Sequence, residues 1–222
     1  MLLSQFKQFI LGHGERSAFF RNLSAQGRVL DIGCGRGANG VALTSFHPEL
    51  EVHGIDLIDD GSVPSFIAYK QVDLNKCVLP YPDGYFDAIV CTHVIEHLSS
   101  PMGLGSELNR ILKPGGKIYV EAPNWTAMLV PSFGFKREQH DPFNFFDDPT
   151  HLKPWTKHGL FELLSAGCGL DVETIDTTRN WRRIIFDPAI LLYGLIRGKR
   201  GLVVSSCWNL VGWCVYGIAR KK

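Results

Sequence analysis

A doubly wound α/β fold, a mostly parallel sheet between layers of helix, is what this 222-residue sequence predicts. Three observations carry the prediction. Strand-length apolar runs at 29–32, 51–57, 68–74 and 85–91 recur with room between them for crossover connections. Acids close the first three runs, Asp31, Asp56 and Asp73, at the strand ends where such sheets bind ligands. The first run also passes directly into glycines on alternate positions, Gly33, Gly35 and Gly37.

The first strand, Val29-Leu30-Asp31-Ile32, leads into a tight turn and a helix starting near Asn39. Glycine suits that turn because it tolerates φ > 0 and lets backbone lie against a ligand. The helix start adds free N–H groups for polar or anionic ligand atoms. Two ligand classes fit. Gly33, Gly35 and Ala38 match the GxGxxG/A spacing of dinucleotide binders, a weak signal alone. Asp31 and Gly37 extend it to D-x-G-x-G-x-G. A carboxylate there repels a pyrophosphate and attracts an α-ammonium group, directly or through water.

The second strand, Glu51–Leu57, ends at Asp56, placed to take both ribose hydroxyls or else a solvated strand-end acid. Ala68–Leu74 forms the third. The turn Tyr81-Pro82-Asp83-Gly84 introduces the fourth, Tyr85–Cys91, which runs into Thr92-His93-Val94-Ile95-Glu96-His97-Leu98. Glu96 and His97 are expected to cap the following helix. Leu112-Lys113-Pro114-Gly115-Gly116 reads as a sharp turn before a fifth strand. A long connection then reaches from about 122 to 155 and reads as a lid or acceptor loop. Its aromatics and its polar residues would supply an apolar pocket with a few oriented contacts, or merely pack the sheet. Thr156 is placed to cap a helix that Gly167 stops. Leu170–Asp176 alternates like a strand. Ile184–Ile196 is nearly all apolar, and 201–219 carries no charge, a length marginal for a membrane span.

Composition narrows the function. A net charge of +1, with no basic run interleaved with aromatics, speaks against a nucleic-acid partner. Six cysteines without CxxC spacing favour packed, reduced thiols and a cytoplasmic setting over zinc or disulfides. Residues 1–11 mix polar with apolar side chains and so lack the continuous core of a signal peptide. The chain reads as one domain over 1–222.

Taken together, the D-x-G-x-G-x-G loop, the F-D…I-E-H passage at 86–97 and the L-K-P-G-G turn resemble the class I S-adenosylmethionine-dependent methyltransferases. Within them, the small-molecule type of the ubiquinone- and menaquinone-biosynthesis group is the nearest in pattern, over roughly residues 27–166. The resemblance implies a Rossmann-like methyltransferase fold: seven strands, mostly parallel, with an antiparallel last strand over Trp213–Lys221, whose Ala-Arg-Lys ending it matches. It implies S-adenosylmethionine as cofactor, held by Asp31, Gly33, Cys34, Gly35 and Gly37, with Asp56 and Leu57 at the ribose. Asp73 would accept from the adenine amino group, Leu74 would meet the ring through its N–H, and Thr92 and His93 would lie at the methionine end. A helix over 1–11 would cover the cofactor.

The acceptor, a small molecule methylated at a hydroxyl, is assigned to Asn124, Trp125, His140, His151 and Trp155. His151 is the candidate general base, with loop positioning as its rival role. Candidate acceptors are a saccharide, a lipid-linked intermediate, a quinone precursor or a secondary metabolite. No metal is expected, since His140, Asp141, Asp147, Asp148 and His151 lack a ligand spacing. A non-catalytic cofactor-binding scaffold and, more distantly, an NAD-dependent oxidoreductase are the competing readings. The apolar helical insertion at about 182–200, with Arg182, Arg183, Arg197, Lys199 and Arg200 around it, leaves three roles open: peripheral membrane or lipid contact, homodimerisation, or core packing.

Overall fold

The structure, a computed structural model, describes residues 14–57, 61–76, 78–132 and 143–222. The expected helix over 1–11 and the candidates His140 and Asp141 lie outside the described residues. Helix α1 (Glu15–Arg21) precedes β1 (Gly27–Ile32), α2 (Ala38–Phe46), β2 (Leu50–Asp56), β3 (Ala68–Gln71) and β4 (Phe86–Thr92). Then come α3 (Pro101–Ile111), β5 (Leu112–Pro123), α4 (Lys157–Glu162) and β6 (Asp171–Thr177). Three helices, α5 (Trp181–Ile184), α6 (Asp187–Ile196) and α7 (Arg200–Val211), separate β6 from the last strand, β7 (Cys214–Arg220).

The seven strands form one sheet in the order β3-β2-β1-β4-β5-β7-β6. β1 pairs parallel with β2 and β4, whereas β7 is antiparallel to both neighbours. The strand order reverses between β1 and β4, with β2 and β3 added on one side and β5 on the other, which opens a crevice at their carboxyl ends, where a doubly wound sheet holds its ligand. Apolar side chains alternate across β1. Val29 packs with Phe19, Phe20 and Leu43 of α1 and α2 on one face. Leu30 and Ile32 pack with Leu104 and Leu108 of α3, Leu160 of α4 and Leu164 in the turn after it on the other. Burial of each such side chain contributes about 1.5–3 kcal/mol. A third cluster joins Ala127, Val130, Phe143 and Phe145 of the long connection to Val204 and Trp213.

Four expectations change in detail. β3 stops at Gln71, so Asp73 and Leu74 lie just beyond it and Leu74 opens a single 3-10 turn. The Lys-Pro-Gly-Gly run is a break inside β5: Phe86 pairs with Leu112, and the next pair is Ala88 with Lys117. Lys113 Nζ there meets both oxygens of Asp87 at 2.7 and 2.8 Å. Glu96 and His97 do not cap α3, which starts at Pro101 with Ser100 in the cap position. The charge-free stretch divides into α7 and β7 at Gly212, whose φ of 66° suits glycine. Among the described residues, no helix is long and apolar enough to cross a membrane.

Thr156 caps α4 as expected, its hydroxyl accepting from the Gly159 N–H at 3.0 Å. A Thr156→Ala variant is expected to lose about 1 kcal/mol of stability. A urea melt checks this through a lower midpoint at constant slope.

Candidate active site

At the end of β1 the loop turns on three residues with positive φ, Gly33 (67°), Gly35 (49°) and Gly37 (80°). The Ile55 carbonyl accepts from Gly33 N at 2.8 Å and from Cys34 N at 3.1 Å, tying the loop to β2. Gly35 N donates to Asp56 Oδ2 at 2.8 Å. Asp31 beneath the loop is fully buried, and Asn39 bridges its Oδ1 to Thr92 Oγ1, both at 3.0 Å. Its Oδ2 has no hydrogen-bond partner. Burial raises the Asp31 carboxyl to about 7, although Asn39 and Arg16 pull it down.

Beside the loop lies a cavity of about 460 Å³. Gly33, Asp56, Leu57, Asp73, Leu74 and His93 all line it. Six residues expected at the cofactor from separate strand ends thus meet around one space. Cys34 differs. Its side chain is buried against Gly54, where a Cβ would lie 2.8 Å from the sulfur. Burial pushes that thiol up to about 12, so only backbone is left for a ligand.

A second cavity of about 590 Å³ adjoins the first, and His93 and His97 line both. His93 is the one non-glycine residue with positive φ among the described residues, at 56°, the kind of backbone strain that clusters at functional sites. Its imidazole lies between two carboxylates, with Nδ1 3.4 Å from Glu96 and Nε2 3.5 Å from Glu121. Partial withdrawal from water opposes its charge. Contacts with Cys214, Glu121 and Glu96 outweigh this and raise its pKa well above the ordinary histidine value. Glu121 is held ionised at about 2: burial works against it, but His93, Arg16 and the Tyr119 hydroxyl prevail.

His151, its side chain 4% exposed, lines the second cavity and stacks on Phe145 at 4.6 Å. Nδ1 lies 2.7 Å from the Phe145 carbonyl. A carbonyl only accepts, so Nδ1 is the donor, and in the neutral ring Nε2 is the acceptor. The nearest carboxylate oxygen, on Asp148, is 3.9 Å from Nε2 and outside hydrogen-bond reach. His151 therefore combines a place in the cavity lining with a neutral-ring acceptor nitrogen that, among the described residues, no group within hydrogen-bond distance claims.

The other acceptor-loop candidates are placed differently. Asn124 is buried and spends its side-chain amide on Thr126 and the Gly212 carbonyl. Trp155 is buried in the main core, and Trp125 stands beside it, its N–H donating to the Trp155 carbonyl. None of the three lines either cavity, so their part is to fix the start and end of the loop to each other. Residues not anticipated as site residues occupy the wall instead: Arg16, Glu121, Arg183, Asn209 and Cys214. Glu121 follows the same strand-end rule as Asp31 and was open to it. Arg16 and Arg183 come from helices whose approach no local motif encodes. Donor atoms of His93, Glu121 and Cys214, and of Glu96, His97 and His151, also lie within 4.8 Å of one another in each set. These proximities arise from separate elements, which spacing along the chain does not show.

The arrangement fits the cofactor that the loop implies. Asp31 has an unpaired buried oxygen for an ammonium group, direct or through water. Asp56 and Asp73 supply acceptors, and Leu57, 64% exposed, an apolar surface at the cavity rim.

Comparison with known proteins decides the family. The family model described as a methyltransferase domain matches residues 8–180. The chain belongs to this methyltransferase family. It is of the class I, S-adenosylmethionine-dependent kind. An uncharacterized methyltransferase of Schizosaccharomyces pombe is 33% identical to this methyltransferase over 129 residues, 51% of the chain and 45% of that protein. A ubiquinone biosynthesis O-methyltransferase of Pseudomonas aeruginosa is 27% identical over 155 residues, 61% of the chain and 65% of that enzyme. The matches thus span between about half and two thirds of these relatives' lengths. A SAM-dependent methyltransferase from Archaeoglobus fulgidus shares the fold of this methyltransferase, with a TM-score of 0.60, 22% identity and 99% of each chain covered. The same fold occurs in the [4+2]-cyclase SpnF, with a TM-score of 0.59, 20% identity, and 92% and 80% covered. Fold alone does not fix a reaction; the site does.

Proposed function

We propose that this methyltransferase moves a methyl group from S-adenosylmethionine to a hydroxyl of a small molecule held in the 590 Å³ cavity. The observation that carries the reading is His151 in the lining of that cavity, with Nδ1 engaged by the Phe145 carbonyl, which leaves Nε2 as the neutral ring's acceptor. A saccharide, a lipid-linked intermediate, a quinone precursor or a secondary metabolite has the required hydroxyl. The similarity to O-methyltransferases of ubiquinone biosynthesis supports an oxygen acceptor. Free thiols at Cys34, Cys91, Cys168 and Cys214, all buried, support a reducing, cytoplasmic setting.

When bound, the cofactor supplies a methyl group already activated on a sulfonium. The chain's task is then to hold the reactants in line and exclude water, which supplies about 7–11 kcal/mol of barrier lowering. Asp56, Asp73 and the glycine loop set the cofactor's place, and the protonated His93 fixes the dividing wall between Glu96 and Glu121. His151 Nε2 takes the hydroxyl proton as the acceptor oxygen gains its methyl group. The test is single-turnover transfer of tritiated methyl to a panel of catechols, sugars and phenols. Label on oxygen in the wild type and not in His151→Ala supports the reading, and label on nitrogen or carbon contradicts it.

Asp31 adds a pH dependence. A carboxyl raised to about 7 must release its proton before it faces a cation. Affinity for S-adenosylmethionine is therefore expected to fall as pH drops from 8 to 6, approaching tenfold per unit below 7. Calorimetry in buffers of different ionisation heat should show proton release on binding, and Asp31→Asn should flatten the profile. Stability of the free protein moves the opposite way from that of a paired carboxylate. The folded state holds this proton more tightly, so stability declines as pH rises from the unfolded value near 3.8 towards 7.

A further inference from the structure

The helices between β6 and β7 present their apolar side to solvent. Ala189, Leu192, Tyr193 and Ile196 of α6 follow the i, i+3, i+4, i+7 spacing of one helical face, and all four are exposed. Ile185, one turn earlier, is 79% exposed, Ile196 74% and Trp181 68%. The other side of α6 is committed to α7, where Gly194 packs so closely that a Cβ would sit 3.1 Å from Val203 Cγ2. An ordinary surface helix turns its apolar stripe inward. This one does the reverse over two consecutive elements.

Charge accompanies the apolar face. Between Thr177 and Trp213 the bases are Arg179, Arg182, Arg183, Arg197, Lys199 and Arg200, against the single acid Asp187. Asp187 is fully buried and paired with Arg183 at 2.8 Å, which takes both out of the surface charge and leaves five bases with no acid among them. A chain whose net charge is only +1 thus carries a local positive excess in the segment that bears this exposed apolar stripe. The family match ends at residue 180, immediately before α5, so this face lies outside what the matched domain shares. Its inner side is not remote from the chemistry: Ser205, Trp208 and Asn209 of α7 form part of the second cavity's wall.

We propose that α5–α7 dock this methyltransferase on an anionic lipid surface and that the cavity takes its acceptor, an amphiphile, from that surface. The second half rests on the acceptor cavity assigned under the proposed function. Charge complementarity selects the occupant. A second copy meeting this face through a two-fold axis would set the same bases against each other, whereas anionic headgroups attract them and the apolar stripe enters the acyl boundary.

The experiment is co-sedimentation of the full chain with vesicles of phosphatidylcholine alone and of phosphatidylcholine with phosphatidylglycerol. Binding is expected only with phosphatidylglycerol present and weakens with added salt. An Ile185→Glu/Ile196→Glu variant and an Arg197→Glu/Lys199→Glu/Arg200→Glu variant are each expected to lower partitioning by about tenfold or more. All five positions are exposed, and unchanged melting and S-adenosylhomocysteine binding confirm that both variants fold. Wild-type protein that ignores the anionic vesicles overturns the docking, as do variants that bind like wild type. A dimer that the isoleucine pair abolishes, without vesicle binding, also overturns it. For the acceptor, tritiated S-adenosylmethionine and a total cellular lipid extract should yield label in the organic phase. Label confined to water-soluble metabolites leaves methyl transfer standing and sinks the lipid-borne acceptor.

Discussion

A His151→Ala enzyme is expected to turn over ~10²–10⁴-fold more slowly, the range a positioned general base supplies. Its affinity for S-adenosylhomocysteine should not change, because His151 lines the second cavity and not the one shared by Gly33, Asp56 and Asp73. The imidazole also holds the long connection through its bond to the Phe145 carbonyl, so alanine removes a base and a brace together. Two measurements separate the roles. His151→Gln can keep a donor near the Phe145 carbonyl but cannot take a proton at pH 7; it should melt like wild type and remain slow. Both variants should bind S-adenosylhomocysteine like wild type, so the loss falls on turnover alone. Turnover by His151→Gln within about threefold of wild type would mean that His151 only positions the loop.

The second large effect belongs to Asp56. With Asp56 at the ribose, as proposed, an Asp56→Ala variant gives up its carboxylate's hydrogen bonds there and releases Gly35 N, which it holds at 2.8 Å. Hydrogen bonds to a charged group contribute about 1.5–3 kcal/mol each, so two of them correspond to a rise of roughly 10²–10⁴-fold in cofactor Kd. Asp56→Asn keeps an acceptor for Gly35 and should fall between. Calorimetric Kd values, beside a melting curve that certifies folding, check this. An alanine variant that binds within threefold of wild type would remove the ribose from Asp56.

Much of the fold was legible because local rules and tertiary demands agree along β1, β2 and β4. There the apolar runs, the turn glycines and the strand-end acids all require the same doubly wound sheet. The gathering of Asp56, Leu57, Asp73 and Leu74 around one cavity was legible for the same reason: each stands at or just past a strand end, and the sheet order brings them together. The acceptor side was not. Asn124 and Trp155 attracted attention as polar and aromatic loop residues, but the loop uses them to tie its ends. Arg16 and Arg183 reach the cavity from helices far apart in sequence, and Glu96 is buried against His93 instead of capping α3. Such meetings depend on how elements pack, which no spacing encodes. Strand β7 was read through its resemblance alone. The helix before it was obscured because an uncharged stretch has no polar face to reveal its period.

Titration of the purified chain with S-adenosylhomocysteine and, separately, with NADH tests the central claim most directly, with Asp56→Ala run alongside. The account predicts saturable heat with the first ligand, none with the second, and a weakened isotherm in the variant. Heat with NADH and none with S-adenosylhomocysteine would contradict it, because the glycine bend would then be gripping linked phosphates rather than an amino-acid tail.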